Sequence, residues 1–264
     1  MAGRYVIAQG DAGAKRLEKL AEATWPASYD FLVSQGIGAG QHCLEVGCAA
    51  GAVSERLLSV VGSAGSVTGL DIDPESVAIA QKRLSHHSNA RFHAIDIETA
   101  NAFDLPGQYD LIYCRFLLKH LKDPLALLQK LKPLLSPTGQ LVAQDMAEDS
   151  SCYPDSVAFY TLVSALKQVF RSRECYSDLA NVLPKLYNDC HLKVSRLHAV
   201  RLQPSNLTKE IFLQTLYDMK DAIVQEQVLS SNTFDVMHKS LTAFFNEPYT
   251  FYFIPTQIII AGKA

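Results

Sequence analysis

The chain has 264 residues, 48% of them hydrophobic, enough for one sizeable α/β core with an elaboration or for two small domains sharing a face. A formal net charge of -3 at pH 7 lacks the basic footprint of a nucleic-acid binder and disfavours large polyanionic partners. Six cysteines, at 43, 48, 114, 152, 175 and 190, include no Cys-x-x-Cys pair and no metal-ligand spacing; they read as reduced core thiols, and no metal site is expected. No apolar run approaches the roughly eighteen residues that span a bilayer, so the expectation is a cytoplasmic chain without a membrane partner.

In chain order, Leu17, Leu20, Ala21 and Thr24 fall at helical spacing and Trp25-Pro26 interrupts them, which predicts two helices before the core. Gly36-Ile37-Gly38-Ala39-Gly40 resets the chain. Strand and helix signals then alternate: strand 41–46, helix 52–61, strand 66–70, helix 74–84, with further strands at 90–95, 109–114 and 140–145, the last after a Pro137-Thr138-Gly139 turn. Such a βαβ series implies a parallel sheet. Asp73-Pro74 and Asp123-Pro124 each set an N-cap acid before a proline at the first helical position, a favourable helix start. Helical stretches follow at 155–171 and 177–189, then an alternating segment at 192–202, a helical block at 208–246 and a closing strand at 249–261.

The first strand carries an acid into a glycine turn: Cys43-Leu44-Glu45-Val46-Gly47-Cys48-Ala49-Ala50-Gly51. Small residues where a strand meets a helix N-terminus let backbone approach a nucleotide-like ligand. A carboxylate at that turn repels phosphates, so Glu45 suits a ligand with cationic groups and no phosphate, which fits S-adenosyl-L-methionine (SAM), with S-adenosyl-L-homocysteine (SAH) as its product. Asp71 ends the second strand about two dozen residues on, placed to accept hydrogen bonds from both ribose hydroxyls, with Ile72 against one adenine face. Asp73 is better explained as the helix cap. Asp96 at the third strand's end offers a carboxylate to the adenine amino group, and Ile97 an apolar neighbour to the ring.

The arrangement Glu45-x-Gly47-x-x-x-Gly51, followed by Asp71, Asp96 and Tyr109-Asp110-Leu111-Ile112-Tyr113-Cys114-Arg115, resembles the ordered motifs of the class I SAM-dependent methyltransferases, small-molecule branch. The likeness is close over residues 40 to 146. It implies an α/β fold: a three-layer, Rossmann-like parallel sheet of seven strands with the last strand antiparallel. A helical cap would come from the N-terminal helices and a C-terminal insertion. Residues 1–40 would form the cap segment and 41–264 the SAM-binding core, with a helical insertion at about 204–247 as a lid. Tyr5 and Arg16-Leu17 resemble the N-terminal segment of one branch of the superfamily, and Tyr5 joins Glu45, Gly47, Cys48, Gly51, Asp71, Ile72, Asp96, Ile97 and Arg115 as an implied cofactor residue. Two departures stand out: Ala49 replaces the usual middle glycine of the turn, and Ala8-Gln9-Gly10 replaces a glycine pair.

Arg115 is as well explained by an ion pair as by site contact. His120, just over a helical turn past the fourth strand, is the first candidate for a general base, although bracing its helix is the stronger reading for a histidine there. The resulting expectation is methyl transfer to an O, N or C atom of a small organic molecule, by a monomer or homodimer. A nucleic-acid or protein methyltransferase is the nearest rival, but Cys114-Arg115-Phe116 stands where base-directed amino-methylating enzymes often carry Asn or Asp with Pro-Pro and an aromatic. A SAM-binding protein without methyl transfer, hinted at by Ala49, and a nicotinamide oxidoreductase are further alternatives.

Overall fold

The structure, a computed structural model, describes residues 10–100 and 107–264. Five strands run parallel: β1 (His42–Val46), β2 (Ser66–Asp71), β3 (Ala90–Ala94), β4 (Tyr109–Arg115) and β5 (Leu135–Met146). Near-continuous apolar runs such as Leu111 to Cys114, wholly buried, are what a strand covered on both faces requires. With β7 (Lys193–Val200) and β9 (Gln257–Lys263) the sheet order is β3-β2-β1-β4-β5-β9-β7, and β9 runs antiparallel to both neighbours. This is the seven-stranded α/β sheet the motifs imply.

The helix starts follow the local signals. Asp73 accepts from the backbone N–H of Glu75 and Ser76 at the start of α3 (Pro74–Arg83), and Asp123 from that of Ala126 in α4 (Pro124–Leu131). The other helix following a parallel strand closely, α2 (Ala52–Val61), begins at Gly51. One apolar cluster joins α2, α3 and the N-terminal helix to the sheet; a second packs α4 and α6 (Leu183–Asp189) on the opposite face. A third lies beyond the sheet, among α5 (Val157–Ser172), α7 (Asn206–Asp218), α8 (Lys220–Gln225), α9 (Ser231–Asn246) and a short strand pair. All six cysteines are buried free thiols, and burial pushes those of Cys43 and Cys114 up to about 12.

Three expectations are corrected. A single helix, α1 (Gly10–Ser34), replaces the two predicted ones and runs straight through Pro26. Pro26 and Glu22 are exposed, so the carbonyl freed by the missing N–H faces water, while Ala21, Phe31 and Leu32 bury the other face. The Pro137-Thr138-Gly139 turn is absorbed into β5 as an irregularity, shifting the β4–β5 register between Tyr109↔Leu135 and Leu111↔Gln140. The closing strand is broken in two, because Pro255 cannot donate to a ladder. β8 (Phe251–Phe253) pairs with β6 (Ser151–Tyr153) in a separate two-stranded sheet, and β9 starts only at Gln257. The 208–246 block is helical as expected, divided into α7, α8 and α9, and α5 joins them in the third cluster.

Candidate active site

The strand order reverses between β1, which leads out to β2 and β3, and β4 on its other side. Loops at the carboxyl ends of these strands therefore diverge and leave a crevice. A cavity of about 360 Å³ occupies that place, roofed by α1, α5 and α7. Glu45, Gly47, Cys48, Asp71, Ile72, Asp96, Ile97, Arg115 and His120 all line it. Residues distributed from the first to the fourth strand thus converge on one space. Tyr5 lies outside the described residues.

The glycine turn is held by backbone and by one carboxylate. Gly47 and Cys48 donate their N–H groups to the Leu70 carbonyl at 2.7 and 3.0 Å, tying the end of β1 to the end of β2. Gly47 has φ +80, and a Cβ there would stand 3.1 Å from Leu117. Ala49 also adopts a left-handed φ of 44, and its N–H donates to Asp71 Oδ2 at 2.8 Å. A side-chain-bearing residue in that region costs about 1–2 kcal/mol, partly offset by alanine's smaller chain entropy in the unfolded state. Ala49→Gly is accordingly expected to stabilise the protein by about 0.5–1 kcal/mol in chemical denaturation, without a change in the denaturant slope.

Gly51 differs from the other motif positions. It caps α2 at φ +79, and a Cβ there would meet Ala80 at 3.1 Å and Leu84 at 3.2 Å on the α3 side. It does not line the cavity, and its work is to let α2 and α3 pack closely.

The polar groups are arranged by sign. Glu45 is buried, and its Oε2 accepts from the Ser54 hydroxyl of α2. Desolvation raises its carboxyl to about 7, against the lowering effects of Ser54 and Arg115; Asp71 adds a further upward push. Arg115 is half-buried, and desolvation lowers its pKa, with Tyr113 and Glu45 opposing. Its Nη1 donates to Thr24 Oγ1 of α1, and Phe116, at φ +53, places its ring 5.0 Å from the guanidinium carbon. An acid and a base thus face the same end of the cavity, a match for a ligand carrying both ammonium and carboxylate.

Asp71 sits toward the other end, raised by burial, with Oδ1 accepting from Asp73 N–H at 3.0 Å. Beside it Ile72 is 50% exposed, an apolar side chain left open at the cavity wall. Asp96 Oδ1 accepts from Glu98 N–H at 3.1 Å, and Ile97 is buried in the sheet core. His120 follows in a 3-10 turn and packs its ring 5.8 Å from that of Phe170. Burial, with the charges of Lys119 and Arg16, pushes its imidazole down to about 3, so it is neutral at physiological pH.

Several residues in or behind the cavity wall had no signal in sequence. Thr24 falls at helical spacing, but nothing local connects it to Arg115, 91 residues away. Lys119, Lys167 and Phe170 enter the wall, as does Arg16, which the sequence marks only through the N-terminal resemblance. Among the described residues no group of His, Cys, Asp and Glu could hold a metal ion, and no helix is long and apolar enough to cross a membrane.

Comparison with known proteins finds methyltransferases. Residues 44–141 match the family model described as a methyltransferase domain. A ubiquinone biosynthesis O-methyltransferase of Xanthomonas campestris pv. campestris (strain B100) is 32% identical over 128 residues, 47% of this chain and 51% of that protein. The chain therefore spans about half the length of the Xanthomonas relative it matches. The enzyme of the same name from Coxiella burnetii (strain RSA 331) is 28% identical over 187 residues, 70% of this chain and 67% of its own. Among solved structures, the cyclopropane synthase MmaA2 from Mycobacterium tuberculosis superposes with a TM-score of 0.58 at 16% identity, covering 90% of this chain and 83% of that one. At that identity the likeness concerns the fold.

Proposed function

We propose that this chain, which carries a class I SAM-dependent methyltransferase domain, transfers a methyl group from SAM to a small organic acceptor in the enclosed cavity. One observation carries the reading: buried Glu45 with half-buried Arg115 at one end and Asp71 with Ile72 toward the other line a single cavity beneath the glycine turn. Glu45 takes the ammonium and Arg115 the carboxylate of the methionine part. Asp71 takes the ribose hydroxyls, Ile72 and Ile97 the adenine faces, and Asp96 the adenine amino group. Residues 41–264 supply this core. The N-terminal segment up to residue 40 and the insertion at about 204–247 serve as cap and lid over the acceptor half.

SAM supplies a methyl group already activated by its sulfonium. The protein's task is alignment and exclusion of water, and proximity alone is worth about 7–11 kcal/mol. A general base adds roughly 3–5 kcal/mol and matters most for a hydroxyl acceptor. His120 is the histidine nearest that role by position, but a conjugate acid near 3 makes it a weak base. Protonating it at pH 7 costs about 5 kcal/mol. Its neutral ring is suited to accept a hydrogen bond and orient the acceptor. His120→Gln is therefore expected to keep kcat within about tenfold of wild type, and the wild-type rate profile to show no inflection near pH 6.5 assignable to His120.

Isothermal calorimetry with SAM and SAH tests the reading: binding with one site per chain is expected, and absence of binding at millimolar ligand would overturn it. A metabolite screen with labelled methyl donor then identifies the acceptor.

A further inference from the structure

The acceptor half of the cavity contains a buried cation with donors to spare. Arg16 is 4% exposed, and its Nε lies 3.2 Å from Asp218 Oδ2, whose side chain is 5% exposed. The other carboxylate oxygen of Asp218 is taken by Gln214 at 2.7 Å. Arg16 Nη2 is buried with no hydrogen-bond partner among the described residues, and Arg16 lines the cavity. Nε is likewise without a hydrogen bond among the described residues, although it lies at ion-pair distance from Asp218, and a guanidinium is a planar fork that binds carboxylates through two parallel bonds, so the Nε–Nη2 edge is a recognition surface not yet used.

Position separates this cation from the methionine end. Arg16, Leu20 and Thr24 share one face of α1, at successive intervals of four residues. Thr24 meets Arg115, and Arg16 lies two turns earlier, about 12 Å along the axis. There it neighbours the end of α7 and is close enough to His120 to act on its charge. The lysines of this half are differently placed: Lys167 faces Glu148 Oε1 at 3.3 Å, and Lys119 stands over the Phe170 ring at 4.9 Å. Around them the wall is apolar, with Val163, Leu166, Phe212 and Met219.

We propose that Arg16 anchors a carboxylate on the methyl acceptor, so that the acceptor is an apolar molecule with one carboxylate. This rests on the methyl-transfer reading and adds the substrate class. Asp218 holds the guanidinium in place while the cavity lacks the acceptor, and the apolar wall accommodates the rest of the molecule.

The test uses the full chain saturated with SAH and titrated calorimetrically with benzoate, 2-naphthoate and decanoate, each against its amide. At least one carboxylate is expected to bind ten times more tightly than its amide. Arg16→Gln/Asp218→Asn, which removes both charges together, should abolish that preference while SAH affinity changes less than twofold. Asp218→Asn alone leaves Arg16 unbalanced and should tighten the preferred carboxylate about threefold or more, which keeps a readout if the double variant unfolds. The proposal is overturned if no carboxylate outbinds its amide, if the preference survives the double variant, or if Asp218→Asn leaves it unchanged. A tenfold loss of SAH affinity in the double variant overturns it too, placing Arg16 on the cofactor's carboxylate. Failure of the wild-type chain to bind SAH is distinct, and overturns the methyl-transfer reading together with this one.

Discussion

Asp71→Ala is expected to weaken SAH binding by about 10²- to 10³-fold. Hydrogen bonds to a charged group are worth roughly 1.5–3 kcal/mol each, and two ribose hydroxyls would donate to this carboxylate, so about 3–4 kcal/mol is at stake. The same side chain accepts from Ala49 and Asp73 N–H, and so fixes the glycine turn against the end of β2. Its burial raises its pKa, which means that the native fold bears part of the cost of desolvating the charge. Loss of stability should therefore be small, about 1–2 kcal/mol, beside the loss of affinity. Asp71→Asn retains an acceptor for Ala49 and should fall between the two. Calorimetry for affinity and thermal denaturation for stability separate the effects. A loss of affinity below threefold in the alanine variant would remove Asp71 from the ribose site.

The second large effect concerns Glu45. Desolvation dominates its environment and raises its carboxyl from 4.5 to about 7. Between those values the native state binds a proton that the unfolded state releases, so this residue's contribution to stability falls as pH rises, by about 3 kcal/mol over the window. Asp145, raised to about 6 by burial, acts in the same direction. His120, lowered to about 3, acts in the opposite one, its contribution rising with pH up to about 6.5. The difference between wild type and Glu45→Gln isolates the Glu45 term. An ammonium in the cavity favours the ionised carboxylate, so SAM affinity should increase with pH up to about 7 and then level off, by at most tenfold per unit. Glu45→Gln keeps an acceptor for Ser54 but no charge. It is expected to lose about 10²-fold in affinity at pH 8 and to bind with a flat pH profile. A variant that kept the wild-type pH dependence would show that another group carries it.

Much of the strand-end half of the cavity was legible because it is written in short segments. A strand, a glycine turn and a helix start are set by φ preferences and caps within a few residues, and Gly47, Asp73 and Asp123 behave as those rules require. Apolar runs identified the five parallel strands for the same reason. Gly51 shows the limit, since its motif position says that a small residue is needed but not whether a ligand or a neighbouring helix is the reason. In the structure the neighbour is α3.

The helical half of the cavity was scarcely legible. Pro26 is a breaker by local rules and is carried through α1 by packing on the other face of the helix. The β6–β8 pairing joins Cys152 to Tyr252, and no periodicity in either segment names the other. Arg16 and Asp218 lie on different helices, as do Thr24 and Ser54, whose hydroxyls serve Arg115 and Glu45. The sequence by itself determined the α/β class, the order of the parallel strands along the chain and the carboxylates at their ends, because backbone preference and hydrophobic period act over one element at a time. The tertiary structure decided which charges meet and which guanidinium nitrogens have no hydrogen-bond partner among the described residues. Those depend on burial and on distances between elements far apart in the chain, which no local pattern encodes.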